Sequence, residues 1–248
     1  MHDALEGGLV KDAAEVVAAL RAGLAPRGYD LIQPLRIAWY NALVEGPLRL
    51  DDLGSPEHLA VVVGNTRALW PRWLDALAAD RELAAGPDPL DAYTERTLGE
   101  VVGALGLRTS VRFAHDAGER RVAMQRLAHV AGLAYLTETH TSVHPEYGPW
   151  IALRAVVSVA VPGPLPPATR LVHPCGGCEH ACRPAFEHAL STLTGAPSQQ
   201  NLRAHWRAWL AWRDACPVGR QHRYSDAQIR YHYCRQLVLP NACDVPEP

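Results

Sequence analysis

The stretch that decides the fold runs from Trp150 to Val161 and reads WIALRAVVSVAV. A near-continuous apolar run of this kind is the pattern of a strand covered on both faces. Its one charge, Arg154, sits in the middle. A guanidinium keeps its proton in a protein, and burying it unpaired is costly. Arg154 is therefore expected either to face a pocket that takes an anion or carboxylate, or to pair with an Asp or Glu inside the fold.

Elements of both kinds surround this strand. Asp12 to Leu24 reads as an amphipathic helix with Val16, Val17, Leu20 and Leu24 near one face. Gly28 to Tyr40 reads as an extended connection ending in IAWYN. LAVVV, Leu59 to Val63, is a short buried strand, and a helix follows around Trp70 to Ala79. Asp88-Pro89 is a helix start, a capping residue before proline at the first helical position, for a helix reaching about Leu105. Thr109 to Ala114 reads as a strand and Arg121 to Leu136 as a helix. The order is mixed α+β, without βαβ alternation or internal repeats.

Composition narrows the function classes. Formal net charge over 248 residues is −2, and Lys11 is the only lysine, so there is no basic footprint for nucleic acid or an anionic membrane. No apolar run approaches the ~20 residues of a membrane span. MHDALEGG lacks the basic-then-apolar order of a signal peptide. The expectation is a cytoplasmic protein, in which six cysteines are ligands or free thiols rather than disulfides.

Cysteines cluster late in the chain. HPCGGCEHAC gives Cys175-x2-Cys178-x3-Cys182, and DACPVG places Cys216 before Pro217. Thiolates close together on a glycine-containing loop are what a tetrahedral metal or an iron–sulfur cluster requires. A [4Fe–4S] cluster on Cys175, Cys178, Cys182 and Cys216 is one reading. Structural zinc, with His173, His180 or His188 replacing a thiolate, is another, and unliganded thiols a third. Cys234 and Cys243 stand in no ligand spacing. Between Cys182 and Cys216, LRAHWRAWLAWRDA (Leu202 to Ala215) repeats Trp206, Trp209 and Arg213 at helical spacing. That stripe is either core packing or the wall of a large planar ligand, with Arg213 available to an anion.

Five blocks make the chain recognisable: IAWYN (Ile37–Asn41), AHVAGLAY (Ala128–Tyr135), VHPEYGPWIALRAVV (Val143–Val157), HWRAWLAWRDA (His205–Ala215) and RYS (Arg223–Ser225). Their order and separation resemble the cobalamin-processing family of the methylmalonic aciduria and homocystinuria type C protein. The resemblance implies a modified flavin-nitroreductase-like α+β fold, an antiparallel sheet flanked by helices. The chain is expected to divide into a nitroreductase-like cobalamin-binding core (1–164), a cysteine-rich metal-binding insertion (165–200) and C-terminal helices completing the pocket (201–248). The implied activity is that of an oxidoreductase that reduces cobalamin and removes its upper axial ligand. Decyanation would use reduced flavin (FMN or FAD), and dealkylation would use glutathione. His129, Tyr135, His144, Trp150, Leu153, Arg154, Trp209 and Arg213 would then surround the corrin, none acting as acid or base. Arg154 and Arg213 match arginines that hold the glutathione carboxylates in that family; the third has no clean counterpart, Arg230 and Arg235 both lying near its place.

The cysteine set departs from that family. It is similar to the ferredoxin-like appendage of epoxyqueuosine reductases and reductive dehalogenases, which pair cobalamin with iron–sulfur clusters. The implied electron donor is a ferredoxin or a flavin reductase, and the implied acceptor is a B12-dependent protein. The chain lacks D-x-H-x-x-G, so cobalamin is expected to bind base-off, without a protein imidazole on cobalt. Competing readings are a cobalamin carrier without chemistry and a flavin-dependent nitroreductase relative with a structural zinc.

Overall fold

In the computed structural model, which describes residues 12–165, 171–175, 181–193 and 199–237, a four-stranded antiparallel sheet forms the centre. Its strands are β1 (Leu31–Arg36), β2 (His58–Asn65), β3 (Thr109–Phe113) and the long β6 (Ala152–Pro162), in the order β1-β2-β6-β3. The central pair β2 and β6 carries the near-continuous apolar runs because both of its faces are covered. Leu59, Val61 and Val63 point into one core with Ala155, Val157 and Val159, while Ala60, Val62 and Val156 point into the other. This is the two-residue side-chain period of a strand feeding two hydrophobic layers.

Helices close both faces. On the first lie α1 (Ala13–Leu24), α3 (Leu69–Ala79), α4 (Arg81–Ala85) and α5 (Pro89–Gly103), packed through Val16, Leu20, Trp73 and Leu98. On the second lie α2 (Ile37–Asn41) and α6 (Met124–Val130), packed through Ile37, Tyr40 and Leu127. A two-stranded ribbon, β4 (Tyr135–Leu136) with β5 (Ser142–Val143), follows α6. The chain then continues through α7 (Cys182–Ser191), α8 (Gln199–Ala204), α9 (Trp206–Asp214) and α10 (Asp226–Cys234). Among the described residues no helix is long and apolar enough to cross a membrane.

The α1 stripe is buried as its spacing indicates, and Asp12 and Glu15 close a reciprocal capping box at its start. Four expectations need correction. Gly28–Tyr40 is not a plain connection but holds strand β1 and helix α2. Pro34 hides the strand from a sequence reading, and is tolerated because β1 is the sheet edge. The helix expected over Arg121–Leu136 is cut to Met124–Val130, because Gly132 takes φ +77° and ends it. Leu202–Ala215 is broken at His205 into α8 and α9. Asp88 precedes α5 but its carboxylate makes no capping bond; it faces the Arg235 guanidinium at 3.4 Å.

Candidate functional site

The outer end of β6 carries the decisive irregularity. Val63 pairs with Ala155 and Gly64 with Leu153, so Arg154 is the extra residue of a β-bulge with no partner on β2. Bulges re-aim side chains, often beside functional sites. Arg154 Nε donates to the buried Asn65 Oδ1 at 2.7 Å, and Nη2 is buried with no hydrogen-bond partner among the described residues. The internal carboxylate that could have neutralised it is thus replaced by a neutral amide.

Beside this bulge two adjoining cavities open. One, of about 320 Å³, is lined by Met124, Gln125, His140–Ser142, Pro149, Ile151, Leu153, Trp212, Arg213 and Tyr233. The other, of about 340 Å³, is lined by Leu202, Arg203, Trp209, Trp212, His232, Tyr233 and Arg235. Trp212 and Tyr233 are common to both, and each space is of the size that holds part of a large ligand.

Charge around the second cavity is positive. Burial holds His232 well below its ordinary imidazole range, helped by the nearby Arg154, Arg213 and Arg235 guanidiniums, so it is neutral at pH 7. Arg235 lines this cavity beside His232 and also pairs with Asp88 at 3.4 Å, whereas Arg230 is exposed. Arg213 is a strut as much as a ligand group. Its Nε and Nη2 donate to the Pro149 carbonyl at 2.9 and 2.7 Å, and Nη2 also to the Ile151 carbonyl at 3.2 Å. Its guanidinium carbon stands 4.5 Å from the Trp150 ring centre and 4.8 Å from that of Tyr224.

The structure therefore brings Leu153, Trp209 and Arg213 onto these cavities, with Arg154 beside them. Trp150 is buried beneath, against Tyr224 and Ile229. Trp206 and Leu210 share that packing, so Trp206, Leu210 and Arg213 form one face of α9 and Trp209 points elsewhere, with Trp212, to the second cavity. The expected Trp206–Trp209–Arg213 face is corrected accordingly. His144 lies on the loop before β6, where Nδ1 accepts the Glu146 and Tyr147 amides at 3.1 and 3.3 Å; burial lowers its pKa. His129 and Tyr135 stand apart from both cavities, edge to face at 5.0 Å, with His173 packed on Tyr135. The RYS block is architectural: Arg223 pairs with Asp214, Tyr224 is buried and Ser225 caps α10.

Sequence reading passed over Trp212, the residue with the widest reach. It lines both cavities and packs at a tilt against Phe186 of α7, ring centres 5.1 Å apart. The available signal was its place one turn after Trp209.

Two glycines fix how the loop before β6 meets the segment after α9. Gly148 has φ +57°, and a Cβ there would fall 1.9 Å from the Val218 carbonyl oxygen. Gly219 has φ +70°, and a Cβ there would fall 2.2 Å from the Tyr147 carbonyl carbon. Backbone meets backbone without room for a side chain on either partner.

The cysteines are placed in part. Cys178, His180 and Cys243 lie outside the described residues. Among those described, no three His, Cys, Asp or Glu side chains are grouped so as to hold a metal ion. A single-ion site built from described residues alone, the zinc expectation with His173 or His188, is therefore not found. Cys175, Cys182 and Cys216 nevertheless line one narrow cavity with Thr137, Thr141, Val143, Trp212 and Pro217. Cys234 sits apart, at the end of α10.

A family model for methylmalonic aciduria and homocystinuria type C matches residues 31–163, more than half of the chain. The chain belongs to the methylmalonic aciduria and homocystinuria type C family. The family match ends before Cys175, so the cysteine region lies beyond it. A human relative named cyanocobalamin reductase / alkylcobalamin dealkylase is 30% identical over 239 residues, covering 88% of this chain and 77% of its own. The crystal structure of a C. elegans B12-trafficking protein, CblC, is similar to this family member with a TM-score of 0.62 at 17% identity. It covers 89% of this chain and 91% of the other. Epoxyqueuosine reductase gives a weaker likeness, TM-score 0.44 at 14% identity, over 84% of this chain and 66% of the other.

Proposed function

We propose that this chain is a cobalamin-processing oxidoreductase that takes cobalamin base-off between β6, α9 and α10 and removes its upper axial ligand. The observation that carries the reading is a coincidence of segments. Trp150–Val157, within the family match, supplies Ile151 and Leu153 of the first cavity, and His205–Ala215, read from the sequence as resembling the family, supplies its Trp212 and Arg213 and Trp209 of the second. Relatives similar over 88% of the chain are named cyanocobalamin reductase / alkylcobalamin dealkylase.

Each part of the site has a physical task. Ile151, Leu153, Trp212 and Tyr233 offer the flat apolar surface a corrin needs. Arg213 holds the Pro149–Ile151 backbone under that surface. The orphaned Arg154 Nη2 and the nearby Arg235 suit the two carboxylates of glutathione, and the neutral His232 adds no charge of its own. In dealkylation the glutathione thiolate attacks the alkyl carbon. The new S–C bond forms as the Co–C bond breaks, and its electron pair stays on cobalt as Co(I). In decyanation one electron reaches Co(III), the Co–C bond to cyanide breaks with its pair leaving on cyanide, and Co(II) remains. No side chain need act as acid or base in either step. The electron comes from a reduced flavin, a flavin reductase or a ferredoxin, and the product passes to a B12-dependent acceptor.

Methylcobalamin incubated anaerobically with the protein and glutathione tests the thiol branch. S-methylglutathione forms stoichiometrically with cobalamin consumed, and Trp212→Leu loses most of this turnover while remaining folded. Tight cobalamin binding with no turnover under thiol, flavin and ferredoxin alike would replace this reading with a carrier.

A further inference from the structure

We infer that Asn65 is a positioning residue that holds the Arg154 guanidinium without neutralising it, and so sets the preference of this site for a thiol co-substrate bearing carboxylates. The inference rests on the reading above, in which Arg154 meets a carboxylate of glutathione. Asn65 closes β2, where it pairs with Ala152 and is fully buried. Both ends of its amide are committed. Oδ1 accepts from Arg154 Nε at 2.7 Å, and Nδ2 donates to the Thr66 carbonyl at 2.7 Å. The backbone under this contact has no slack. Gly64 approaches β6 so closely that a Cβ on it would fall 2.7 Å from the Ala152 carbonyl oxygen.

A charge inside a fold is ordinarily compensated by an opposite charge. Among the described residues Arg154 makes no ion pair. The one carboxylate tied into this network, Asp30, is engaged elsewhere, accepting from the Thr66 amide at 2.8 Å and its hydroxyl at 2.5 Å. At position 65 an ionised carboxylate would set its second oxygen against the Thr66 carbonyl, acceptor against acceptor. The position therefore selects an amide, with an acceptor for the guanidinium on one side and a donor for the backbone on the other. Arg154 is thus fixed in place with its charge undiminished. That charge reaches the second cavity. After burial itself, Arg154 is the first of the three guanidiniums that hold the lining residue His232 below its ordinary imidazole range.

Preference for an anion follows. A carboxylate arriving at Nη2 gains a charge-assisted bond from a guanidinium with no other counter-ion. A carboxylate already standing at Nε would share that charge and repel the newcomer. Asn65 acts through Arg154 alone, so it affects anionic thiols and leaves neutral ones unaffected.

The experiment is calorimetric titration of the full chain with glutathione and with its diethyl ester, which lacks both carboxylates. Wild type is expected to prefer glutathione. Asn65→Asp adds the neutralising carboxylate and is expected to cut that preference by roughly ten- to a hundredfold, the loss of one charge-assisted bond, with ester binding unchanged. Asn65→Ala keeps the charge but removes its anchor, so the preference is expected to fall part of the way. General damage to the fold would weaken glutathione and ester alike and leave their ratio at the wild-type value, which overturns the inference. If Asn65→Asp does not fold, Asn65→Ala decides, and a wild-type ratio there overturns it equally. A preference that Asn65→Asp retains and Arg154→Gln loses overturns the role of Asn65 alone. Wild type without any preference for glutathione refutes the anion reading of Arg154, and this inference with it.

Discussion

Replacing Arg154 by glutamine separates a structural arginine from a ligand-binding one. Among the described residues the side chain makes one hydrogen bond, to Asn65 at 2.7 Å, and buries Nη2 without a partner. Losing a bond from a charged donor costs about 1.5–3 kcal/mol, whereas relieving an unsatisfied buried donor returns about 1–3 kcal/mol. The two terms nearly cancel, so the unliganded variant should unfold within about 2–4 °C of wild type, the shift of 1 kcal/mol in a chain of this size. Glutathione affinity behaves differently. A charge-assisted bond to a carboxylate contributes about 1.5–3 kcal/mol, so removing it weakens glutathione by roughly ten- to a hundredfold. Cobalamin, proposed to lie against Leu153 and Trp212 instead, should bind nearly unchanged. Thermal denaturation and calorimetric titration of each ligand supply the readings. A melting temperature far below wild type with glutathione affinity intact would show that Arg154 is a fold residue and that its anion lies elsewhere.

Two further outcomes follow from the same geometry. His232 and His144 are both held below their ordinary pKa near 6.5, mainly by burial. Below that value the unfolded chain takes up protons that the folded one refuses, so stability is full above pH 6.5 and falls as the pH drops toward the folded values. The slope is at most about 1.4 kcal/mol per pH unit for each histidine. Denaturant titrations between pH 5 and 8 should show this loss, and His232→Gln should flatten it; a pH-independent wild type would contradict the burial argument. Gly148→Ala places a methyl 1.9 Å from the Val218 carbonyl oxygen at φ +57°, so the variant should be destabilised by several kcal/mol (roughly, as for overpacking plus backbone strain). An unchanged melting temperature would mean that the loop and the segment after α9 are not locked together.

The elements legible in the sequence are those whose local pattern matches their final surroundings. α1 buries the stripe its spacing draws, and β2 and β6 are apolar throughout because each has two covered faces. The misread elements are those in which a tertiary contact overrides the local signal. Pro34 suggests a break, yet β1 is an edge strand and needs no amide there. AHVAGLAY has helical composition, but the left-handed Gly132 turns the chain into the β4–β5 ribbon. Arg154 was visible as an anomaly in an apolar run, while the bulge that re-aims it depends on register with β2. Trp209 and Arg213 lie at the site, but the neighbouring Trp212 reaches three cavities, which follows from how α9 packs on α7 and not from its spacing.

The central claim is that this family member processes cobalamin in the groove bordered by Leu153, Trp212 and Arg213. The most direct measurement is an anaerobic absorbance titration of cyanocobalamin with the protein, followed by addition of reduced flavin to the complex. The account predicts a shift of the corrin bands to the base-off form on binding, then conversion to Co(II) cobalamin with release of one cyanide per cobalt. Unshifted corrin bands at saturating protein, or a base-off complex that releases no cyanide with either flavin or ferredoxin as donor, would contradict it.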